Sequence, residues 1–213
     1  MKYKFKDHEI TRTCNVEFDD YHKYKEYLRK DFSGRCAYCN LCDESVSNSF
    51  EVDHYIPKDA FKDDRPELLT LYDNLVYSCK KCNQSKSSRF NGNVYSTPLN
   101  NDYFYNPAVV DYNTIFYRDE AGSIVSDDGK GKNMITILKL YRPINNLAWI
   151  CEKLYDFYSR IDDKMFRLKK NSTEYQMYKE IKYSLLELYT GLNKYFTANY
   201  NEALKVKNTA AGV

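Results

Sequence analysis

The sequence predicts an α+β chain in which a small module of strands and short helices is embedded in mainly helical sequence. Two paired-cysteine motifs flank a short strand pattern in the N-terminal half, and the last third has long runs of helical periodicity. We therefore expect an N-terminal helical segment over residues 1–34, the module over 35–92, and a hairpin with a helical region over 93–213.

Composition and charge exclude several classes of protein. Of the 213 residues, 43% are hydrophobic, which is enough for a real core and argues against a disordered chain. The 32 basic and 30 acidic residues leave a net charge of +2, far from that of a DNA-packaging protein. Any contact with nucleic acid must therefore come from a local basic patch.

The sequence gives no sign of a membrane or secreted protein. It has no apolar run of the ~18 residues that a membrane helix needs. The N-terminal stretch MKYKFKDHEI has no apolar segment after its lysines and does not resemble a secretory signal. We therefore expect a cytoplasmic protein without a membrane partner, whose seven cysteines act as metal ligands and free thiols.

Hydrophobic periodicity places one helix before the module and two elements within it. Aromatic and leucine side chains recur at three- and four-residue steps over Asp19–Phe32, which predicts a helix. Glu51–Ile56 is predicted to be a short strand that Pro57 ends. Ser78–Phe90 is predicted to be a short helix that begins at a cysteine pair.

The sequence after the module predicts a small hairpin followed by helices. Thr114–Tyr117 and Ser123–Val125 flank a turn sequence, a pattern typical of two paired strands. Lys132–Tyr141 is predicted to be helical. Apolar stripes over residues 147–168 and 178–195 then predict two helices that pack as a hairpin, the second with Thr173 as its N-terminal cap.

Two cysteine pairs have the spacing of zinc ligands. Cys36-Ala-Tyr-Cys39 and Cys79-Lys-Lys-Cys82 each leave the two-residue gap that lets both thiolates of a pair bind one ion. Four thiolates complete a tetrahedron without an open position, so the predicted Zn²⁺ is structural. Cys42 is an alternative ligand, and a zinc ribbon without catalysis is an alternative on spacing alone.

Further polar residues follow one another in a fixed order around these pairs. The order is Asp53-His54, then Pro57-Lys58, then Asn74-Leu75, then the second cysteine pair, Asn83 and Lys86. In residue type and order this resembles the HNH endonuclease family, and the resemblance covers residues 35–90, about a quarter of the chain. It implies a zinc-stabilised ββα-metal module and a metal-dependent endonuclease.

One position departs from the family pattern. The third family position is commonly His and directly follows the last cysteine, where this chain has Asn83. The chain's histidines are His8, His22 and His54, so no other His lies near the motif. The pattern is similar to the HNN variant of a phage junction-resolving endonuclease. Because an amide oxygen also binds hard divalent cations, the change alters the ligand type without removing the ligand.

The resemblance assigns roles that the chemistry of the residues supports. Asp53 and Asn83 are expected to bind a catalytic Mg²⁺ or Mn²⁺, which carboxylate and amide oxygens favour. His54 is the expected general base, since an imidazole accepts protons near neutral pH. Asn74 matches the middle family position, which braces the loop and keeps the histidine oriented.

This assignment requires the predicted strand to be irregular near Asp53 and His54. Asp53 and His54 are adjacent, so their side chains point to opposite faces of a regular strand. Both can serve one site only if the strand bends or ends there, and Pro57 makes an end at this point reasonable.

A local basic patch predicts the contact with substrate. Between Ser78 and Phe90 the chain carries four basic residues and no acid. These residues, together with a lysine earlier in the module, are expected to hold backbone phosphates of DNA or RNA, with DNA favoured. They are Lys58, Lys80, Lys81, Lys86 and Arg89.

A weaker resemblance concerns the rest of the chain. YFYNPAVVDYN followed by a helical tail is similar to larger bacterial HNH proteins of anti-phage systems, including Septu-type and retron-linked ones. It implies a partner ATPase that the C-terminal helices bind. Two alternatives remain: a non-catalytic zinc module that binds nucleic acid or protein, and a helical interaction subunit with a degenerate nuclease domain.

Overall fold

The computed structural model describes residues 1–46 and 50–210. The chain divides into two compact units, Met1–Arg142 and Pro143–Val213. The segment boundaries expected near residues 35 and 92 both lie inside the first unit. No helix in the described part of the chain is long and apolar enough to cross a membrane.

The first unit begins with a strand and a helical segment. Strand β1 is Tyr3–Lys4, and a 3-10 helix, Tyr21–Tyr24, runs directly into helix α1, Lys25–Asp31. The carboxylate of Asp20 begins this segment by accepting a hydrogen bond from a backbone N–H two residues later, at 2.9 Å. The side chains that anchor it in the core are Tyr24, Leu28 and Phe32. The predicted helix over residues 19–32 is confirmed in outline.

A ββα module forms the centre of the first unit. Strand β2, Phe50–His54, pairs antiparallel with β3, Leu75–Cys79, and helix α3, Lys80–Lys86, follows β3 without a loop. The connection between the strands contains helix α2, Lys58–Phe61, and two 3-10 turns. All five residues of β3 are buried. The predicted α+β fold class, with a small module embedded in helical sequence, is confirmed.

Helix α3 is shorter than the sequence predicts. It ends at Lys86, because Ser87 adopts a φ of 53°, which a right-handed helix does not allow. Expected helical residues up to Phe90 therefore lie in the loop that follows.

A second, three-stranded sheet lies after the module. Strands β4, Tyr117–Arg118, and β5, Ile124–Val125, form the predicted hairpin, with Gly122 at a φ of 74° in its turn. β1 pairs with β4 at the edge of this hairpin, a contact between the two ends of the unit that no local pattern indicates.

Helix α4, Gly129–Ile137, begins earlier than predicted and ends before Tyr141. The side chain of Asp128 caps it by accepting a hydrogen bond from the backbone N–H of Gly131 at 2.7 Å, which explains the early start. Lys139 has a φ of 53°, which is incompatible with a continued helix.

The second unit is the predicted helical hairpin. Helix α5, Pro143–Phe166, packs against helix α6, Thr173–Ala210. The predicted cap at Thr173 is wrong by one residue: Ser172 caps α6, its hydroxyl accepting from the backbone N–H of Tyr175 at 3.2 Å. Several large apolar side chains of this unit remain exposed, namely Tyr155, Phe157, Phe166, Met177, Ile181, Tyr183, Leu186, Leu188 and Tyr195.

Candidate metal centre and active site

The four paired cysteines converge on one point. Cys36 and Cys39 lie in the turn after α1, Cys79 ends β3, and Cys82 is in the first turn of α3. All four side chains are buried, and their sulfur atoms lie within 4.8 Å of one another. The Sγ atoms of Cys39 and Cys79 are 3.8 Å apart, the spacing of about 3.8 Å that two sulfurs have in a tetrahedron around zinc at ~2.3 Å.

These donors fit a structural zinc ion. Cys42, the alternative ligand, is half-buried and is outside the cluster. Burial opposes ionisation of Cys36, but hydrogen bonds from the other three thiols lower its pKa well below the usual range. The pKa values of Cys79 and Cys82 are raised by their bonds to Cys36, because neighbouring thiols without a cation cannot all ionise. A divalent cation removes that conflict.

Arg142 supplies positive charge beside this cluster. Its Nη2 lies 3.6 Å from the sulfur of Cys82. Burial works to lower the pKa of Arg142, yet the surrounding cysteines outweigh burial and raise it. The guanidinium therefore stabilises thiolates at this centre, which carries a net negative charge when four of them hold one Zn²⁺.

Three of the four predicted catalytic residues, Asp53, His54 and Asn83, line a cleft of about 660 Å³ between the N-terminal helical segment, β2 and α3, whereas Asn74 is buried and does not line it. The sequence assignment required the strand to bend or end near the adjacent residues Asp53 and His54. β2 ends at His54, and both side chains line the cleft. The side chains that line this cleft include Tyr21, Glu51, Asp53, His54, Lys58, Asn83 and Lys86.

Asp53 is buried with both oxygens hydrogen bonded. Oδ2 accepts from the hydroxyl of Tyr38 at 2.8 Å, and Oδ1 accepts from Nζ of Lys86 at 2.9 Å. Burial raises the pKa of Asp53, and Lys86 and Tyr38 oppose that rise. Lys86 was expected to hold a phosphate at the surface; its side chain is only 1% exposed, because it lies beneath the cleft as the ion-pair partner of Asp53.

His54 is held in one orientation and is neutral. Its Nε2 lies 2.8 Å from the carbonyl oxygen of Leu69, and since a carbonyl only accepts, Nε2 carries the proton and Nδ1 is the acceptor. Burial lowers the pKa of His54 to about 4. The rings of Tyr21 and Phe61 pack beside the imidazole, with centroid distances of 4.7 and 5.9 Å.

Asn74 joins the end of β2 to the loop that precedes β3. Its Oδ1 accepts from the backbone N–H of Ile56 at 2.8 Å, and its Nδ2 donates to the carbonyls of Ile56 at 3.2 Å and Leu68 at 3.0 Å. The side chain is fully buried. These bonds fix the backbone two residues after His54 and the backbone next to Leu69, whose carbonyl contacts the His54 ring.

Asn83 has a partner that the sequence interpretation missed. Its Nδ2 donates to a carboxylate oxygen of Glu51 at 2.8 Å, which directs Oδ1 away from Glu51. Glu51 lies two residues before Asp53 on β2, and alternation puts both carboxylates on the same face of the strand. The alternation of side chains along the strand could therefore have predicted Glu51 as a residue of the same site as Asp53.

The expected phosphate contacts are only partly brought together. Lys58 is exposed at the rim of the cleft. Lys80 and Lys81 lie half-buried on α3, and neither lines the cleft. Arg89 is exposed outside the cleft and donates to the carbonyl of Ser85 at 2.7 Å. The basic patch of the sequence is therefore divided between the cleft and a neighbouring surface.

The segment that carries the ββα module and its four cysteines matches a known family. Residues 36–89 match the family model described as HNH endonuclease, which confirms the resemblance that the motif predicts for this part of the chain. Both cysteine pairs, the Asp53-His54 step and Asn83 lie within the matched segment.

Two curated proteins described as Septu protein PtuB are similar to this chain. The one from Bacillus thuringiensis is 36% identical over 56 residues, which are 26% of this chain and 20% of that protein. The one from Bacillus mycoides (strain KBAB4) is 28% identical over 92 residues, 38% of this chain and 31% of that protein. The matches thus span between a fifth and a third of those relatives. No solved structure gives a significant match to the chain.

Proposed function

We propose that this chain is an HNH-type endonuclease that hydrolyses phosphodiester bonds of DNA, or of RNA, with one divalent cation and His54 as the general base. The observation that carries the proposal is a neutral imidazole, fixed by the carbonyl of Leu69, in the same cleft as a carboxylate and a primary amide. A module that only binds nucleic acid has no use for a base held in this way.

The side chains of Asp53 and Asn83 would hold the divalent cation. A carboxylate and an amide oxygen are hard donors that suit Mg²⁺ or Mn²⁺, so the donor set fits the group. When bound there, such a cation would polarise the phosphate and stabilise the leaving oxygen. A carboxylate oxygen can accept more than one partner, so Lys86 can keep its bond to Asp53 while Asp53 binds metal.

The remaining residues transfer the proton, position the base and bind the substrate phosphates. Nδ1 of His54 takes a proton from the attacking water, and the carbonyl of Leu69 stabilises the imidazolium through Nε2–H. Asn74 holds the backbone that follows this base and the backbone beside Leu69. Lys58 at the rim binds a phosphate next to the scissile bond, and Lys80, Lys81 and Arg89 bind the strand farther along.

The relatives support a place in anti-phage defence. Two proteins described as Septu protein PtuB align with part of this chain. We propose that the chain is the nuclease subunit of such a system and that α5 and α6 bind a partner ATPase. The exposed apolar residues of the second unit support a protein contact there. Co-expression with candidate ATPases, followed by pull-down with and without residues 143–213, tests this.

Replacing His54 by Ala tests the nuclease function. The purified full chain is incubated with plasmid and single-stranded DNA and RNA in Mg²⁺, Mn²⁺ or EDTA. We expect His54→Ala to slow cleavage by ~10²–10⁴-fold. Zinc content, melting temperature and DNA affinity should stay close to those of the wild type, because a general base acts on the transition state.

His8→Ala is the matched control, because His8 lies outside the cleft. It should cleave at the wild-type rate. If His54→Ala also cleaves at that rate, the mechanism is wrong and the non-catalytic zinc module becomes the better interpretation.

A further inference from the structure

The active-site cleft is closed on one side by residues from outside the matched family segment. Tyr21 lies 15 positions before the segment that begins at residue 36, yet it lines the cleft together with Asp53 and Asn83. The turn that carries it is well anchored: the neighbouring Tyr24 is 2% exposed, and its hydroxyl accepts from the backbone N–H of Phe18 at 2.9 Å. The position of Tyr21 is therefore set by the core.

Two contacts connect Tyr21 to the catalytic machinery. Its ring meets that of His54 in an edge-to-face arrangement, with centroids 4.7 Å apart and planes at 68°. Its hydroxyl accepts a hydrogen bond from Nζ of Lys58 at 3.0 Å, and the same ammonium lies 4.2 Å from the ring centroid. One side chain thus touches both the expected base and the expected phosphate contact.

We propose that Tyr21 is a positioning residue of this site: its ring supports the imidazole of His54, and its hydroxyl holds Lys58 at the rim of the cleft for a substrate phosphate. This inference rests on the proposed nuclease function and adds to it a residue that the matched segment does not contain.

The contacts around His54 explain why such support matters. The carbonyl of Leu69 fixes Nε2, and the ring of Phe61 packs beside the imidazole at a centroid distance of 5.9 Å. A single hydrogen bond still lets the imidazole rotate about the axis of that bond. The edge-to-face contact with Tyr21 blocks that rotation and keeps Nδ1 in one direction. A misplaced base costs rate without costing stability, since alignment of reacting groups contributes to the barrier.

A role as an open platform for a nucleobase fits the geometry less well. The ring of Tyr21 already has the ring of His22 at a centroid distance of 3.9 Å and the ammonium of Lys58 at 4.2 Å. A stacking base needs an uncovered aromatic face. The hydroxyl of Tyr21 would also have no part in stacking, whereas here it has a defined partner.

Two variants separate the two contacts. Tyr21→Phe keeps the ring and removes the hydroxyl, so kcat should stay within about 2-fold while KM rises about 2- to 10-fold, the effect of one hydrogen bond. Tyr21→Leu removes the ring, so kcat should fall about 10- to 100-fold. Tyr27→Leu is the control, because Tyr27 is a half-buried tyrosine of α1 that does not line the cleft.

A second measurement does not depend on cleavage. The chain has three histidines, so selective labelling gives three sets of imidazole resonances, and His54→Ala identifies those of His54. Tyr21→Leu should shift the ring protons of His54 because the ring current of Tyr21 is lost, while Tyr21→Phe and Tyr27→Leu should not.

The outcomes are distinct. Unchanged His54 resonances in Tyr21→Leu overturn the proposal whether or not the protein cleaves nucleic acid. Unchanged kcat and KM in both Tyr21 variants, with an active wild type, refute the positioning role and leave the nuclease function standing. A wild type without any cleavage refutes the nuclease function and with it the role of Tyr21 in catalysis.

Discussion

Replacing Lys86 by Met should destabilise the first unit strongly. The ammonium of Lys86 and the carboxylate of Asp53 form an ion pair at 2.9 Å, with side chains that are 1% and 5% exposed. Met keeps most of the apolar volume of the lysine stem, so little cavity forms. The main effect is the loss of the charge partner, which leaves the buried carboxylate with the hydroxyl of Tyr38 alone.

The expected magnitude follows from this burial. Breaking a buried ion pair by removing one partner costs about 3–5 kcal/mol, and solvent screening gives little relief at these exposures. For a unit of this size, 1 kcal/mol corresponds to ~2–4 °C in melting temperature, so Lys86→Met should melt about 10 °C below the wild type. Lys58→Met removes an exposed lysine of the same cleft and should change stability by no more than about 0.5 kcal/mol.

Urea and thermal unfolding of the zinc-loaded chain, without Mg²⁺ or Mn²⁺, measure the effect. The double variant Lys86→Met with Asp53→Asn should regain part of the lost stability, because it buries no unpaired charge. Suppose that Lys86→Met instead unfolds like Lys58→Met and merely binds DNA more weakly. Lys86 would then be a surface phosphate contact, and the argument from the buried pair would be refuted.

Further predictions concern the four-cysteine cluster, Asn74 and Asn83. Cys79→Ser should lose the zinc ion and the cooperative unfolding of the module, while Cys42→Ser keeps one zinc per chain by metal analysis. Asn74→Ala leaves three buried hydrogen-bonding groups without their partner and should lower the free energy of unfolding by about 3 kcal/mol in urea titrations. Asn83→His should retain cleavage and shift the metal preference from Mg²⁺ towards softer ions, measured as rates in Mg²⁺, Mn²⁺ and Ni²⁺.

The four-cysteine cluster was predictable because the spacing within each cysteine pair restricts where its two thiolates can lie. A two-residue gap forces both thiolates of each pair to one side, and a tetrahedral ion needs four donors, so the two pairs must meet. The spacing of the cysteines does not dictate the antiparallel pairing of β2 with β3, which followed only from the resemblance to the HNH family. Sequence spacing thus predicted the four-cysteine cluster, and the family resemblance predicted the ββα fold around it.

The role of Lys86 was not predicted, although the helix offered a signal. Lys80, Lys81 and Lys86 are near one another in the sequence, but on helix α3 Lys86 points in a different direction from the other two. Lys86 lies four residues after Cys82, and residues at this spacing share a helix face. Since the face of Cys82 is buried around the cysteine cluster, this spacing could have indicated that Lys86 is buried as well and has an acidic partner.

The contact between Tyr21 and His54 could not be predicted from any local pattern. It joins two segments 33 residues apart in the sequence, and neither periodicity nor spacing encodes which helix covers the end of β2. The early end of α3 is similar, because nothing in the residue type of Ser87 demands a positive φ. Tertiary packing decides both features.

Cys79 is the last residue of β3, a member of the four-cysteine cluster that fits zinc, and the residue directly before α3. Asn83 lies four residues after Cys79, about one helical turn, so a zinc ion held by the four cysteines would also fix the position of Asn83, an expected ligand of the catalytic cation. A chelator therefore acts at two places. Brief EDTA treatment should give inhibition that Mg²⁺ alone reverses, and prolonged treatment should give a slower loss that needs zinc as well. Inhibition by EDTA on its own is thus no proof of which ion takes part in cleavage.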